Sequence, residues 1–549
     1  MADVNTPLRY ELPDAHAAGP AFAEVREAAR AMWSEGAQDQ ALDFVLAALG
    51  AVLKKSRELE LLVAKLRRAG RSSERLDPEQ LALLFAELAE QQQAGNGAPS
   101  FDAQAEERQD AELEHELEEA KRTSETMPPA PKRGWRTRNV VREVHQIALP
   151  TEERTCTHCG AAKRQIGTEV SRELHYVPGH FAEHEYHREK WACTHCKWGV
   201  TTAPAPAKVI PRSAATPSLL AHAVVSKYVD HTPLHRLHRI YDRSGATIPV
   251  STLSDWVGSV AQRVQPLVAR LAERILSDAY VVSTDATGLR VLDPTSPDNI
   301  QWGTIWCVVG DEHDVVFHYT PTGEGEPGPW TFLAGRQGYL QADASNVFDR
   351  LYNGQVASAI EVGCWAHGRR RFVALRDTDP RVAYPLMLIR RLYRLERLAD
   401  LKKLSHEERR DLRRERSGPV LDTLKPWLVL MAADEPPRSD FAQACGYVLN
   451  HWTALSRFLE DGRLRLDNTL CERQIRDVAL GRKNYLFAGS HEAAQRTAVL
   501  YSLMRSAALH GVAPFPYLSD VLTKLTSGWD PGRLDELLPG CWHPGNAPP

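Results

Sequence analysis

The chain has 549 residues, of which 43% are hydrophobic and 25% are charged. This length exceeds one ordinary hydrophobic core and predicts about three or four domains, while the composition excludes a wholly disordered chain. The net charge of −4, from 67 basic and 71 acidic residues, taken alone argues against a nucleic-acid-binding protein.

Neither a membrane span nor a targeting segment is evident in the sequence. No stretch approaches the run of about 18 consecutive apolar residues that a spanning helix needs. The N-terminus lacks the basic head and apolar core of a signal peptide. We therefore expect a cytoplasmic protein without a membrane partner.

Residues 1–100 are predicted to form a helical arm. From Val45 to Leu66, apolar residues alternate in steps of four and three, interrupted only by Ser56. This spacing indicates a short coiled coil, and an amphipathic helix packed on its own chain is the alternative. A second helix is predicted at residues 78–92. A coiled coil implies a homodimer or a higher oligomer.

Charge is unevenly distributed along the chain. Residues 101–125 contain ten acidic and three basic residues, and we assign residues 101–140 to a solvated acidic helix and linker. Residues 361–416 contain sixteen basic and nine acidic residues. Opposite local charges of this kind can hide a polyanion-binding surface within a neutral total. For residues 390–416 the alternative is a solvated helix face with Glu/Arg pairs.

Four of the nine cysteines form two matching pairs, Cys156-Thr-His-Cys159 and Cys193-Thr-His-Cys196, with 33 residues between them. Two such turns supply the four thiolates of a tetrahedral zinc site, so we predict a zinc-binding module at residues 141–210. Four thiolates leave no open coordination position, and the Zn²⁺ should therefore be structural. The alternative, a redox dithiol, needs only one pair.

Residues 211–275 are predicted to form a helix-turn-helix-like DNA-binding region. Helical apolar spacing runs from Ser218 to Tyr241 and is broken at residues 230–233, and another helix opens near Val250 with Ser251 as its N-cap. Nearby basic and imidazole side chains suit a DNA-reading element. They are His235, Arg236, His238 and Arg239. A plain helical domain is the alternative.

Two predicted strands each end in an aspartate. Residues 280–285 form a β-branched apolar segment that ends at Asp285, with a turn predicted at Gly288, and residues 338–343 end at Asp343. Further strands are predicted at residues 300–310, 315–319 and 360–365. Aspartates at the C-terminal ends of neighbouring strands would place both carboxylates at one edge of a sheet.

A third acid is supplied by a predicted helix that begins at Asp467-Asn468. Its apolar stripe contains Cys471, Ile475 and Val478, and Glu472 lies at the margin of this stripe. This helix is predicted to end at Gly481, which would expose the basic residues that follow. The chain contains 71 acids, so spacing alone leaves ordinary surface or capping acids as the alternative for all three.

Several motifs resemble those of the insertion-sequence 66 (IS 66) type transposases of bacteria, in order, over about residues 45–543. They are Arg71–Gln80, the two cysteine pairs, Asp230–Leu234, Gly363–Phe372, Asp467–Arg473, Gly481–Ser490 and Tyr517–Leu522. The chain departs from the family pattern at Ala286, where a second acid is frequent, and at Ala344-Ser345, where Gly-Tyr is frequent.

The resemblance implies an α/β catalytic core with a ribonuclease-H-like fold, in which helices flank a mixed sheet. This core would occupy residues 276–375 and 461–490, with a helical insertion at 376–460 and a C-terminal helical region at 491–549. By position, the family's catalytic DDE triad would be Asp285, Asp343 and Glu472, which would bind Mg²⁺ or Mn²⁺.

The activity implied by the resemblance is transposition. The chain would bind double-stranded DNA at the element ends and the target, and would catalyse metal-dependent cleavage and strand transfer by a two-metal mechanism. Accessory proteins of the same element and association with the nucleoid are also implied. The alternatives are a catalytically silent zinc-containing DNA-binding protein and a ribonuclease-H-like nuclease without strand transfer.

Basic residues beside the proposed triad are predicted to contact DNA phosphates, which makes binding salt-dependent. They are Arg369, Arg370, Arg371, Arg473, Arg476, Arg482 and Lys483, and the neighbouring polar residue Asn484 is predicted to contact DNA with them. His367, just beyond a predicted strand, is a candidate accessory residue of the catalytic site. A purely structural histidine is the alternative.

Overall fold

The computed structural model describes most of the chain from Ala103 onward. The described residues are 103–124, 143–148, 150–154, 158–165, 168, 179–192, 200–321, 328–433, 435–436 and 438–544. The predicted helical arm, with the coiled coil of residues 45–66 and the helix of residues 78–92, lies outside them.

The described residues fall into two compact units. The helical unit contains the described residues up to Glu112, together with Gly368–Leu392 and Pro419–Asn450. The sheet unit contains Leu113–His367, Tyr393–Gly418 and the described residues from His451 onward. All three predicted catalytic acids belong to the sheet unit.

The elements follow one another in this order along the described chain. The strands are β1 (Lys190–Ala192), β2 (Val200–Thr202), β3 (Val281–Leu292), β4 (Ile300–Gly310), β5 (Asp314–Thr320), β6 (Gln337–Gln341) and β7 (Ser358–Val362). The helices before the main sheet are α1 (Ala103–Ser124), α2 (Pro217–Tyr228), α3 (Leu234–Arg243) and α4 (Val250–Asp278). The later helices are α5 (Asp349–Tyr352), α6 (Trp365–Ala374), α7 (Ala383–Leu401), α8 (His406–Leu412), α9 (Gly418–Ala433), α10 (Asp440–Asn450), α11 (Trp452–Ser456), α12 (Thr469–Tyr485), α13 (His491–Leu509) and α14 (Pro514–Thr526).

The main sheet has five strands in the order β5-β4-β3-β6-β7. β3, β4 and β5 form an antiparallel meander, whereas β6 is parallel to β3 and β7 is parallel to β6. The predicted mixed sheet with flanking helices is therefore confirmed. β-Branched and aromatic residues make up half of these strands, with Val the most frequent, as expected for side chains that fill a pleated, buried surface.

The predicted turn at Gly288 is wrong, because β3 continues through this residue to Leu292. Gly288 pairs with Thr304 of β4, inside an uninterrupted antiparallel ladder. A Cβ at this position would lie 3.2 Å from the indole ring of Trp302. The glycine therefore makes room for a neighbouring side chain rather than reversing the chain.

Helix α13 covers the outer edge of the sheet. The N–H of Val315 donates to Ser506 Oγ at 2.9 Å, and the N–H of Phe317 donates to Ser502 Oγ at 2.7 Å. Both serines are fully buried. Because an uncovered edge strand offers its N–H and C=O groups to other chains, these bonds protect β5 from edge pairing.

The predicted helices before the sheet are present, but Ser251 is not an N-cap. Helix α4 begins one residue earlier, at Val250 after Pro249, so Ser251 lies in its first turn. Helix α3 buries Leu237 and Tyr241 in the same hydrophobic core as α4 and the sheet. The polar side of α3 is exposed at His235, Arg236 and Arg239, whereas His238 Nδ1 is 2.7 Å from the carbonyl oxygen of Ile248.

The predicted acidic helix is present as α1, but it is not solvated on all sides. In the sheet unit, α1 buries Leu113 and Leu117 against Leu395 and Leu398 of α7. This apolar stripe explains why the segment packs despite its charge.

Acids of α1 also pair with the basic run that follows β7. Glu114 Oε2 lies 2.6 Å from Arg394 Nη2, and Glu116 Oε2 lies 2.7 Å from Arg416 Nη1. Within the helical unit, Asp110 accepts a 2.7 Å hydrogen bond from the buried Arg391. Much of the local positive charge at residues 390–416 is therefore compensated within the chain.

Candidate functional site

Asp285 lies inside β3 rather than at the C-terminal end of a strand, which corrects the predicted placement. It is opposite Cys307 of β4, so the two side chains share one face of the sheet. The Asp285 side chain is half-buried, and its Oδ1 accepts the N–H of Ala286 at 2.8 Å.

Asp343 follows β6 by two residues. β3 and β6 are parallel, with Ser283 opposite Gln341. The pairing ends at Gln341, and Asp285 and Asp343 each follow this last pair by two residues. Asp285 and Asp343 are therefore carried by two neighbouring strands, just beyond the point where their pairing ends.

Glu472 lies in the first turn of α12, and two anchors hold this turn against the sheet. The Nδ2 group of Asn468 donates to the Thr284 carbonyl at 2.8 Å, and Cys471 Sγ lies 3.5 Å from the Cys307 carbonyl oxygen. Both anchors are buried. They bring Glu472 to the face of the sheet that carries Asp285.

The thiol of Cys471 is affected by two of the three acids. Burial raises the pKa of Cys471, the neighbouring Cys307 raises it further, and the negative charges of Asp285 and Glu472 act in the same direction. Charges act strongly on a thiol only from nearby. Asp285 and Glu472 therefore approach the same buried group from a strand and from a helix.

The three acids come from β3, from the residues after β6 and from α12, and they do not form a close cluster. Among the residues that the structure describes, no three His, Cys, Asp or Glu side chains are grouped as a ready-made metal site. Carboxylate oxygens are nevertheless the ligands that Mg²⁺ prefers. Donor chemistry and backbone placement fit a magnesium site, and the side chains would have to close on the ion.

His367 lies beside this group, in the first turn of α6. Its Nε2 atom is 3.9 Å from Glu472 Oε1, and both side chains are partly buried. The turn is fixed by Trp365, whose Nε1 donates to the Leu455 carbonyl at 2.8 Å. The structure thus brings His367 to the third acid.

The basic residues of α12 divide into two kinds. Arg473, Arg476 and Lys483 are exposed. Arg482 is half-buried, and its Nη1 donates to the Gly288 carbonyl and, at 3.2 Å, to Thr287 Oγ1. Arg482 therefore joins α12 to β3, a role that its charge alone does not predict. The Nδ2 of Asn484 donates to the carbonyl oxygen of Leu480 at 3.1 Å.

The predicted stop of this helix at Gly481 is wrong, because α12 continues to Tyr485. A Cβ at Gly481 would overlap the hydroxyl group of Tyr501. Close approach between α12 and α13 therefore explains the glycine.

The arginine triplet of α6 belongs to the helical unit. Arg370 and Arg371 are exposed, and Arg369 is partly buried. The guanidinium of Arg371 lies 4.2 Å from the ring centroid of Tyr447.

The predicted zinc module is described only in part. β1 and β2 form an antiparallel pair, with Trp191 opposite Thr201, and the second cysteine pair lies between them in the sequence. Cys159 is exposed and is not in a disulfide. The other predicted ligands, Cys156, Cys193 and Cys196, lie outside the described residues.

Sequence reasoning missed the anchoring role of two residues beside the acids. The sequence predicts Asn468 only as part of the helix start, and Cys471 only as part of an apolar stripe. The short sequence from Asp467 to Glu472 combines polar and apolar residues at a helix start, but their partners on β3 and β4 become visible only in the fold.

None of the helices in the described part of the chain is both long and apolar enough to cross a membrane.

Comparison with known proteins gives three family matches. Residues 212–496, more than half of the chain, match "Transposase IS66 family". Residues 153–197, which include all four paired cysteines, match the "zinc-finger binding domain of transposase IS66", and residues 502–539 match the "IS66 C-terminal element".

Relatives from Sinorhizobium fredii (strain NBRC 101917 / NGR234) are similar over most of the chain. "Uncharacterized protein y4jD" is 33% identical over 412 residues, which cover 72% of this chain and 80% of the relative. "Uncharacterized protein y4hP" is 31% identical over 436 residues, which cover 74% of this chain and 76% of the relative. On the family match and these similarities, the chain belongs to the IS66 family of transposases.

Proposed function

We propose that the chain is a DDE-type transposase that binds the ends of a bacterial insertion sequence and catalyses DNA cleavage and strand transfer. The supporting observation is the convergence of three acids from separate elements. Asp285 lies in β3, Asp343 follows the neighbouring strand β6, and Glu472 lies in the first turn of α12, which Asn468 bonds to β3. The test is whether the chain joins its element's ends to a target plasmid in an Asp285-dependent way.

Asp285, Asp343 and Glu472 would hold Mg²⁺ or Mn²⁺. When bound, these ions activate a water or a 3′-hydroxyl group and stabilise the leaving oxygen at a phosphodiester. The residues of the chain supply the oxygen ligands and position them through the sheet register and the Asn468 anchor. His367, 3.9 Å from Glu472, serves in this proposal as a positioning residue for that carboxylate.

The proposed fold of the catalytic core is ribonuclease-H-like. An antiparallel meander of three strands followed by two parallel strands, with helices on both sides, supports this assignment. The helices α7 to α11, which lie within residues 376–460, would be the insertion implied by the resemblance. The proposed location is the bacterial cytoplasm, at the nucleoid when DNA is bound, with an oligomer and accessory proteins of the element as partners.

The exposed cations of α12 are expected to contact DNA phosphates without reading sequence. Replacing both Arg473 and Arg476 with Ala should weaken binding to all sequences. The slope of the logarithm of the binding constant against the logarithm of the salt concentration should become less negative by about 0.9 for each lost phosphate contact. The double variant should therefore change this slope by about two. Equilibrium binding at several salt concentrations measures this slope.

The matched control is Arg533→Ala, which removes one positive charge from the C-terminal region. The guanidinium of Arg533 is already paired with Glu536, with Nε 2.7 Å from Oε1. This variant should keep the wild-type slope. An unchanged slope in the Arg473/Arg476 variant would show that α12 does not contact phosphates.

The zinc module is expected to hold about one Zn²⁺ per chain through its four thiolates. Cys193→Ser should lose the metal and make residues 153–197 sensitive to protease, because metal binding and folding of such modules are coupled. Metal analysis and limited proteolysis measure both effects. Cys541→Ser, at an exposed cysteine without a disulfide, should keep the zinc. Wild-type protein that is protease-resistant but zinc-free would contradict this assignment.

A further inference from the structure

Helix α12 ends in a strained turn that presents two apolar side chains to solvent. Leu486 has φ 67° and ψ −42°, and the N–H of Phe487 donates to the Tyr485 carbonyl at 2.8 Å. This is a γ-turn with positive φ, which is rare and unfavourable for a branched residue. Leu486 is 62% exposed and Phe487 is 42% exposed.

This turn is fastened to the far end of β3. The N–H of Ala488 donates to the Arg290 carbonyl at 2.8 Å, and the N–H of Leu292 donates to the Ala488 carbonyl at 2.9 Å. Phe487 therefore lies one residue from a backbone bond to Arg290. The strained turn is held in place by the sheet.

A third large apolar side chain lies on the other side of Arg290. Trp302 of β4 is opposite Arg290 and is 55% exposed. The Arg290 guanidinium lies 5.3 Å from the centroid of the Trp302 ring. Gly288 leaves space for this ring, since a Cβ there would approach it to 3.2 Å. We call Arg290, Trp302, Leu486 and Phe487 the aromatic platform.

The platform contributes little to the hydrophobic core. Trp302 lies beside Arg290, and Leu486 and Phe487 are exposed in the turn that is bonded to the Arg290 backbone. Grouped apolar exposure of this kind indicates a binding surface. The strained backbone of Leu486 lies at the same place. Because strained conformations are concentrated at functional sites, this strain supports a binding role for the platform.

The charge around the platform favours a nucleic acid as its occupant. Arg290 is exposed, and Lys483 adds a second exposed cation in the last turn of α12. The acid Asp293 follows Arg290 by three residues, but its carboxylate already accepts hydrogen bonds from the N–H and the hydroxyl of Thr295, at 2.9 and 2.7 Å. Aromatic rings and arginine beside cations form the surface on which unpaired bases stack while their phosphates are neutralised.

We infer that the aromatic platform binds unpaired bases at a DNA end that is processed by the same molecule. This inference rests on the proposed function. Asp285 and Arg290 are five residues apart on β3, or about 17 Å, which corresponds to about five nucleotide steps. Their side chains lie on opposite faces of this strand, because side chains alternate along it, so a DNA strand that reaches both must pass around the end of the sheet. Bases inside a duplex are already stacked on their neighbours, so the occupant is a frayed or single-stranded segment near the cleaved bond.

The experiment compares the full-length chain bound to two DNA probes, a blunt duplex and the same duplex with a short single-stranded overhang. The overhang carries a fluorescent base analogue whose emission falls on stacking. Wild-type protein should prefer the overhang and quench the analogue. Trp302→Ala and Phe487→Ala should each lower overhang affinity by about tenfold and restore emission, with blunt-duplex binding unchanged.

Two further variants keep the test interpretable. Trp302→Phe retains an aromatic ring and should retain most of the preference. Phe515→Ala, at a phenylalanine that is 41% exposed and belongs to α14, should behave as wild type. Unchanged overhang preference in the folded Trp302→Ala and Phe487→Ala proteins would overturn the inference, and so would a change in their oligomeric mass, which would indicate a protein-binding surface.

Failure of the platform and failure of the proposed function give different results. If the platform is wrong, wild-type protein still nicks DNA with Mg²⁺ and Trp302→Ala binds both probes as wild type does. If wild-type protein binds neither probe, the proposed function fails and the platform inference fails with it.

Discussion

Asp285→Asn is expected to lower Mg²⁺-dependent nicking of DNA by at least about a hundredfold while leaving DNA binding intact. Metal ions contribute several kcal/mol of transition-state stabilisation, and each 1.4 kcal/mol corresponds to about a factor of ten in rate. The substitution keeps the size of a half-buried side chain, so the fold should survive. Nicking of a labelled duplex bearing the element's ends, with binding measured in parallel, checks both parts.

Asp343→Asn and Glu472→Gln should behave in the same way, because both acids are assigned to the same metal ions. The matched control is Asp298→Asn, at an exposed acid in the connection between β3 and β4. This variant should nick DNA at the wild-type rate. Nicking that survives in Asp285→Asn would remove Asp285 from the proposed triad.

Arg413→Ala is expected to lower the free energy of unfolding of the sheet unit by about 3–5 kcal/mol. Arg413 is 1% exposed, and its guanidinium donates two hydrogen bonds of 2.7 Å to Glu396. It also donates to the carbonyls of Phe458 and Asp461, each at 2.8 Å. Truncation would remove all four bonds and leave Glu396 Oε1 and the Phe458 carbonyl without this donor, while Glu396 Oε2 would keep its bond from Arg409. Urea unfolding monitored by circular dichroism measures the loss.

Arg410→Ala is the matched control for this prediction. Its side chain is 36% exposed and pairs with the neighbouring Asp411, so the free energy of unfolding should change by no more than about 1 kcal/mol. If both arginine variants unfold at the same urea concentration, Arg413 does not organise this part of the fold.

The strands of the sheet were largely predictable from the sequence, because β-branched and aromatic residues are concentrated in short segments. The position of Asp285 within its strand was not. A glycine shortly after the acid suggested a turn, but Gly288 lies in a ladder where it accommodates Trp302. Gly481 misled in the same way, since its role is close contact between two helices. Local sequence does not distinguish a glycine that turns the chain from one that admits a neighbour.

The acids of the candidate site were found through the order of elements and a family resemblance, and spacing alone would not have selected them. Their proposed convergence depends on the pairing of β3 with β6 and on Asn468, which bonds to a strand far earlier in the sequence. Long-range pairing also explains the acidic segment. Its charge suggested a solvated helix, whereas Leu113 and Leu117 pack against α7 and its acids meet arginines of the basic run.

Strand transfer tests the central claim most directly. The wild-type chain, given DNA that carries its element's ends, a target plasmid and Mg²⁺, should produce joined molecules, and Asp285→Asn should produce none. Joined product from Asp285→Asn would contradict the proposed triad. Wild-type protein that only nicks would instead be a nuclease, and wild-type protein that binds without nicking would be a silent DNA-binding protein, so either result would contradict the proposed transposase activity.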